Sequence, residues 1–328
     1  MITAPDKKRI KLYLGFAFGI AWLTCLVIYL KGGLTDSPVI VPALNLTLAT
    51  LLLSTGMMGA PALANLFTRL ITHEGKQELW LKPARFNKPW RYWLLAWILP
   101  AVGTLAGAAV YFLIFPGSFD RNLENIQALL VQQGAEPDTL SITPWLIVVS
   151  NVVQSVLLAP ILNALPTFGE EAGWRGYLLP KLLPLGQRKA VLISGVTWGM
   201  WHWPVIVMGH NYGLDYAGFP WLGMLAMIWF TIVIGTLFSW LTLKEGSIWP
   251  AVIGHGAING IAGIGLLVQI GAFRPLLGPT PTGLIGGACF SLLAMILLLR
   301  KDALQPGQEQ WKSEPILPDN FPDRDKLL

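Results

Sequence analysis

Two adjacent glutamates and an arginine interrupt a long apolar stretch in the segment GEEAGWRGYLLP, residues 169–180. Residues four apart share one face of a helix, whereas adjacent residues diverge by about 100°. We therefore expect Glu171 to pair with Arg175, which leaves Glu170 free to act. An ionisable side chain at membrane depth costs at least about 2.5–3.5 kcal/mol. Three of them together indicate a buried polar site rather than helix packing alone.

Two histidines lie in later apolar stretches and have polar or aromatic neighbours at helical spacing. His202 follows Trp198 by four residues, so the indole is expected to lie against the imidazole. Just beyond, Pro204 removes a backbone donor, and a bend there would open space beside His202. His255 and Asn259 are also four apart, so an imidazole and an amide can converge on one oxygen atom.

These residue types fit the hydrolysis of a peptide or ester bond. Glu170 and His202 can share the deprotonation of a water molecule, which then attacks a carbonyl carbon. His255 and Asn259 would hold the negative oxygen that develops on that carbonyl. The sequence contains neither a Gly-x-Ser-x-Gly turn nor a His-Glu-x-x-His pair, so serine and zincin mechanisms have no support.

At these residues the sequence resembles the CPBP family of intramembrane proteases. That family includes the type 2 CAAX prenyl endopeptidases and the bacteriocin-processing and immunity proteins called Abi proteins. Its three motifs match EEAGWR at Glu170, Glu171 and Arg175, the aromatic residue and histidine at Trp198 and His202, and HGAIN at His255 and Asn259. The family more often has phenylalanine than tryptophan at the aromatic position. The motifs occur in the family's order, and the resemblance covers residues 145–270.

The resemblance implies a role for each motif residue. The water would be activated by Glu170 and His202, and the oxyanion hole would be formed by His255 and Asn259. The residues that support the site would be Glu171, Arg175 and Trp198.

The family has been described both as metalloproteases and as metal-free glutamate proteases. A zinc ion would be held by Glu170, His202 and His255, with one coordination position left open. We favour no metal and no other cofactor, because asparagine, present here as Asn259, is a poor zinc ligand and a good oxyanion donor. Zinc stays the alternative.

The elements that must position these residues are membrane helices. Of the 328 residues, 54% are hydrophobic and 12% are charged, whereas about a quarter are charged in a soluble domain. Apolar stretches recur at the length of about twenty residues that crosses a bilayer. Eight are predicted, near residues 10–30, 43–68, 92–115, 144–166, 189–208, 221–243, 249–271 and 282–299. The predicted fold is all-α, a polytopic membrane helical bundle over residues 1–303 with a flexible cytoplasmic tail over residues 304–328.

Basic residues predict how the chain lies in the membrane. Of the 23 Lys and Arg residues, only Lys31, Arg121 and Arg274 fall on one side of the predicted spans, and the other twenty fall on the opposite side. The positive-inside rule makes the richer side cytoplasmic, so both termini are cytoplasmic and the loop 116–143 is outside. Counted from the turn SIWP, His255 would lie about 6–10 Å into the bilayer. This predicts an active site that opens toward the cytoplasm.

The function predicted from the sequence is that of an intramembrane endopeptidase in the cell membrane. Its partners would be the lipid bilayer and a peptide or membrane-associated protein substrate, with CAAX-like and bacteriocin-like peptides both compatible. The net charge of +5 is explained by basic loops against anionic lipid, so no nucleic-acid partner is predicted. Two alternatives remain open. One is a proton-coupled transporter, since proton relays also use buried Glu and His, and the other is an inactive binding or immunity scaffold of the same family.

Overall fold

The computed structural model describes residues 2–75, 79–81, 90–132 and 144–307, and most of these residues are helical. In chain order the helices are α1 (Ala4–Leu30), α2 (Leu48–Leu52), α3 (Met58–Thr72), α4 (Trp90–Ile114), α5 (Glu124–Gln132), α6 (Pro144–Leu157), α7 (Ala159–Leu162), α8 (Ala164–Gly173), α9 (Leu179–Leu182), α10 (Gln187–Trp201), α11 (Trp203–Val207), α12 (Trp221–Glu245), α13 (Trp249–Ile261) and α14 (Ala288–Leu299). A short antiparallel hairpin links α1 to α2, with strands β1 (Val39–Val41) and β2 (Leu46–Thr47). The predicted all-α polytopic membrane bundle is confirmed.

Five helical segments are long and apolar enough to cross a membrane. They are Ala4–Leu30, Leu48–Thr72, Trp90–Ile114, Trp221–Glu245 and Trp249–Val268. These segments coincide with five of the eight predicted spans. The remaining three predicted spans, near 144–166, 189–208 and 282–299, coincide with shorter or interrupted helices, so the count of eight stays a prediction.

Prolines explain two of the interruptions. One residue separates α6 from α7 beside Pro160, and one residue, His202, separates α10 from α11 beside Pro204. A proline has no backbone N–H, and its ring clashes with the carbonyl four residues earlier, so the preceding helix stops. The break predicted at Pro204 is confirmed, and it places His202 at the end of α10.

Both ends of the described chain lie at one end of the bundle. Lys181 of α9 lies 3.7 Å from the carboxylate of Asp6 in α1. Arg188 of α10 donates a hydrogen bond of 3.1 Å to the carbonyl of Leu299 in α14. We call this the basic end, and we call the opposite end, where α10 and α13 finish, the far end. The predicted tail lies outside the described residues from position 308 onward.

Glycines bring α10 into direct contact with α12. A Cβ atom at Gly195 would lie 2.7 Å from Ile232 Cα, and one at Gly199 would lie 2.6 Å from Ile228 Cα. The Thr231 hydroxyl adds a hydrogen bond of 2.9 Å to the Gly195 carbonyl. Small residues permit this approach, and in lipid the close packing and interhelical hydrogen bonds drive helix association. The helix that carries the second motif is thereby fixed to α12, a helix of 25 residues that is mostly buried.

The helix α8 packs just as closely on α3. A Cβ atom at Gly169 would lie 2.5 Å from the carbonyl oxygen of Met58. Farther along the same contact, Asn65 Nδ2 donates a hydrogen bond of 2.8 Å to the Ala172 carbonyl. The depth and rotation of Glu170 are therefore set by a contact between helix backbones.

A wide turn adjoins each of these two helices. The backbone forms a π-turn over Leu53–Met57, just before α3, and another over Trp174–Leu178, just after α8. Pro61 helps to explain the first turn, because it cannot donate a hydrogen bond to the Met57 carbonyl four residues earlier. Single π-turns are rare and frequently occur at functional sites.

We expect Gly169→Ala to lower the Tm, because the new methyl group would collide with a carbonyl of α3 that cannot move without its helix. Overpacking of this kind costs about 1–3 kcal/mol. Gly19→Ala in α1 is the matched control, since no atom of a neighbouring element lies within 4 Å of its Cβ position. Thermal unfolding of both variants in detergent checks this expectation. Equal Tm values would contradict the close contact between α3 and α8.

Candidate active site

The carboxylate of Glu171 lies at the centre of the polar cluster and is fully buried. Its Oε1 atom accepts hydrogen bonds from Arg175 Nη1 at 3.0 Å and from His255 Nδ1 at 2.8 Å. The pairing with Arg175 that the four-residue spacing predicted is confirmed. The bond to His255 joins α8 to α13, so one carboxylate balances a guanidinium and orients an imidazole on another helix.

Aromatic rings enclose the buried guanidinium of Arg175. Its central carbon lies 4.4 Å from the ring centroid of Trp198 and 5.4 Å from that of Phe238. A desolvated cation over an aromatic ring gains about 2 kcal/mol. Phe238 also stacks on His255, with the ring centroids 5.5 Å apart. Trp198 also lies edge-on to His255, with ring centroids 5.3 Å apart, so the same two aromatic side chains contact both hydrogen-bond partners of Glu171.

Glu170 has different contacts from its neighbour, as expected for adjacent helical positions. Its side chain is buried, and its Oε2 atom accepts a hydrogen bond of 2.7 Å from Trp198 Nε1. The predicted contact between Trp198 and His202 is also present, with ring centroids 5.8 Å apart. The indole N–H therefore fixes one oxygen of Glu170. The other oxygen, Oε1, remains for a water molecule or a substrate.

The protonation of His202 follows from its hydrogen bond. Its Nδ1 atom lies 2.8 Å from the backbone carbonyl oxygen of Trp198. A carbonyl oxygen only accepts, so Nδ1 carries the proton and Nε2 keeps its lone pair when the imidazole is neutral. Trp201 stands edge-on to the ring, with centroids 4.9 Å apart. His202, which lies at the helix break before Pro204, thus presents Nε2 as a hydrogen-bond acceptor of defined orientation.

His255 and Asn259 lie one turn apart on α13 and line the same cavity as Glu170 and His202. His255 is buried, whereas Asn259 is exposed. Because Nδ1 of His255 donates to Glu171, its Nε2 atom is the nitrogen left for a ligand. The structure therefore brings the four predicted catalytic side chains to one space.

The cavity has a volume of about 250 Å³ and contains a histidine that the sequence pattern does not single out. This residue, His210, lies in the loop after α11, between Gly209 and Asn211, both of which have a positive φ. Burial lowers the pKa of His210 to about 4, so its imidazole is neutral at pH 7. No helical spacing links a loop residue to the motif residues, and the sequence therefore carries no signal for its position.

The cavity extends from the polar cluster toward the far end of the bundle. Asn211 and Thr282, which also line it, lie in the loops that follow α11 and α13. At the basic end, the turn between α12 and α13 is buried, and Ile248 N donates a hydrogen bond of 3.0 Å to the Trp80 carbonyl. The side of the membrane toward which the cavity opens stays a prediction.

The alternative zinc set of Glu170, His202 and His255 does not fit this arrangement. Across the part of the chain that the structure describes, no three His, Cys, Asp or Glu side chains are grouped closely enough to hold a metal ion. The side chains also make bonds within the protein: Glu170 Oε2 accepts from Trp198, and each imidazole uses its Nδ1 atom.

The region that carries the cluster is similar to known CAAX proteases. Residues 145–261 match the family model of type II CAAX prenyl endopeptidase Rce1-like proteins, and all the predicted site residues lie in that range. A CAAX prenyl protease 2 from Methanococcus maripaludis is 33% identical over 93 residues, which are 27% of this chain and 34% of that protein. The chain thus aligns with about one third of the relative's length. As the motifs predict, residues 145–261 are similar to Rce1-like CAAX endopeptidases, and this region contains the candidate site.

Proposed function

We propose that the protein is an intramembrane endopeptidase that hydrolyses a peptide bond inside the cavity. This proposal rests on one observation. A single cavity in the apolar bundle is lined by Glu170, His202, His255 and Asn259 together. A carboxylate, an oriented imidazole and a pair of oxyanion donors are the groups that amide hydrolysis by water requires. The similarity to Rce1-like proteases supports the same reaction class.

Glu170 is the general base in this proposal. It takes a proton from a water molecule that Nε2 of His202 also orients, and the water oxygen bonds to the carbonyl carbon. The carbon–nitrogen bond then breaks as Glu170 passes the same proton to the leaving amine. The hydrogen bond from Trp198 keeps the carboxylate in place through both steps.

His255 and Asn259 stabilise the negative oxygen of the tetrahedral intermediate. The amide of Asn259 donates directly, and His255 donates from Nε2 in its doubly protonated form. The Glu171 carboxylate at Nδ1 stabilises that imidazolium through a charge-assisted hydrogen bond. The charges of the two glutamates are then balanced by Arg175 and His255. A neutral cluster of this kind avoids the cost of an uncompensated charge at low dielectric.

The protein is a multi-pass membrane protein, and the bilayer is its first partner. We place it in the cell membrane with the basic end in the cytoplasm, since twenty of its 23 Lys and Arg residues fall on that side of the predicted spans. As substrates we propose short peptides or the ends of membrane-associated proteins, in the class of CAAX-like or bacteriocin-like chains. The similarity to a CAAX prenyl protease 2 supports the first of these.

A proton-coupled transporter or an inactive scaffold would use the same residues without forming a product. A transporter would move protons or solute into liposomes while peptides stay intact. A scaffold would bind a peptide and release it uncut. Product analysis by mass spectrometry therefore separates the three functions.

We expect Glu170→Gln to lower kcat by about 10²–10⁴-fold, the usual contribution of a general base. The Tm should stay close to that of the unmodified protein, because the amide oxygen can still accept the hydrogen bond from Trp198. The measurement is the cleavage, in proteoliposomes, of a peptide pool that contains unmodified and farnesylated cysteines near the C-terminus. Glu124→Gln is the matched control, since this glutamate lies exposed on α5.

Three outcomes would contradict this assignment. Retention of more than about one tenth of kcat in Glu170→Gln would reject Glu170 as the base. Proton flux without any peptide product from the unmodified protein would favour the transporter. A stoichiometric metal ion whose removal by a chelator stops turnover would restore the zinc alternative.

We expect Asn259→Ala to lower kcat by about 10²–10³-fold with little change in KM, because an oxyanion donor acts mainly on the transition state. Asn151→Ala is the matched control, since this exposed asparagine on α6 bonds the Ile147 carbonyl of its own helix. The same peptide pool and steady-state kinetics measure both variants. A raised KM with an unchanged kcat would instead assign Asn259 to substrate binding.

We expect Glu171→Gln and Arg175→Met to destabilise the fold by about 3–5 kcal/mol each, because each leaves a buried charge without its partner. The double variant should lose less than the sum of the two single losses, since no unpaired charge remains in the pair. Denaturant unfolding in detergent gives the free energy of unfolding for all four proteins. Strictly additive losses would show that the two side chains are not directly coupled.

A further inference from the structure

One wall of the cavity comes from the π-turn before α3. Leu53, Met57 and Met58 line the cavity together with Glu170. All three precede residues 145–261, the region that matches the protease family. The shape of this wall therefore depends on residues outside the matched region, whereas the predicted catalytic residues lie inside it.

Contacts with α1 hold the π-turn in place. A Cβ atom at Gly56 would lie 2.8 Å from Thr24 Cγ2, so the turn lies directly against α1. The next residue, Met57, is buried, and its Sδ atom accepts a hydrogen bond of 3.6 Å from Cys25 Sγ. The wall is thus a preformed surface rather than a loop that a ligand must first order.

The other lining residues make most of the cavity apolar. Val205 of α11 and Met227, Phe230 and Ile234 of α12 line it, and the polar catalytic cluster lines the same space. Thioether side chains are flexible and polarisable, so a wall that contains methionines adapts to apolar groups of different shape. A cavity of about 150 Å³ already holds benzene. The volume of about 250 Å³ therefore suits one bulky side chain with the peptide group attached to it.

We propose that the segment 53–58 is the specificity-determining wall of the active site, and that the substrate is a peptide with a bulky apolar side chain next to the scissile bond. This inference rests on the proposed endopeptidase function. The wall adjoins Glu170, so a side chain seated against it brings its own peptide group to the base. Each methylene buried in such a site raises kcat/KM by roughly fourfold.

The test compares Leu53→Trp and Leu53→Ala with Leu52→Trp. Leu52 is the last residue of α2 and is not among the described residues that line the cavity. The probes are unmodified peptides that differ only in carrying Ala, Leu or Phe beside the bond that mass spectrometry identifies as cleaved. We expect Leu53→Trp to lower kcat/KM for the Leu and Phe peptides by about tenfold or more, with little effect on the Ala peptide. Leu53→Ala should shift the preference toward Phe, and Leu52→Trp should keep the unmodified profile.

The outcomes separate this proposal from the proposed function. If Leu53→Trp and Leu53→Ala both cleave the peptides with the unmodified preference, the segment is not the specificity wall, while the endopeptidase function stands. If a farnesylated peptide is cleaved more than about tenfold faster than its unmodified form and Leu53→Trp removes that advantage, the cavity takes the lipid chain rather than a peptide side chain. If the unmodified protein cleaves no peptide, the proposed function itself fails.

Discussion

The rest of the site depends on the hydrogen bonds that the Glu171 carboxylate accepts. Two neighbouring acidic groups in an apolar bundle would be prohibitively costly unless positive groups lay within bonding distance. Arg175 supplies a guanidinium four residues along the chain, and His255 of α13 adds a hydrogen bond from Nδ1. Because Oε1 of Glu171 takes both of these bonds, the second carboxylate, that of Glu170, is left to bind Trp198 and line the cavity.

This constraint explains why the helices around the site pack so closely. The three motifs lie on α8, the end of α10, and α13, and their side chains reach one another only if the backbones approach without bulky groups between them. Gly169 against α3 and Gly195 against α12 provide that approach. The N-terminal helices therefore help to form the candidate site, although the family match begins at residue 145. They fix the depth of the catalytic helix and complete the cavity wall.

The sequence predicts the contacts that lie within a helix and misses those that depend on packing between helices. The spacing of four residues correctly predicts the Glu171–Arg175 pair and the shared face of His255 and Asn259, because helical geometry alone determines both. The bonds from Trp198 to Glu170 and from His255 to Glu171 span 28 and 84 residues, and no periodicity encodes them. The covering of the turn between α12 and α13 is missed for a related reason. Whether a helix end is covered depends on another segment of the chain, and here the covering residue is Trp80.

The separation between the catalytic residues and the π-turn wall has an evolutionary consequence. Substitutions at the proposed catalytic residues and their partners are restricted, because the charged side chains of this network compensate one another. Leu53 carries no such restriction, because its side chain is aliphatic and takes no part in the charged network. With the wall that we propose, related proteins diverge in substrate preference through substitutions at a few aliphatic positions near the N-terminus. The residues that carry out hydrolysis stay the same.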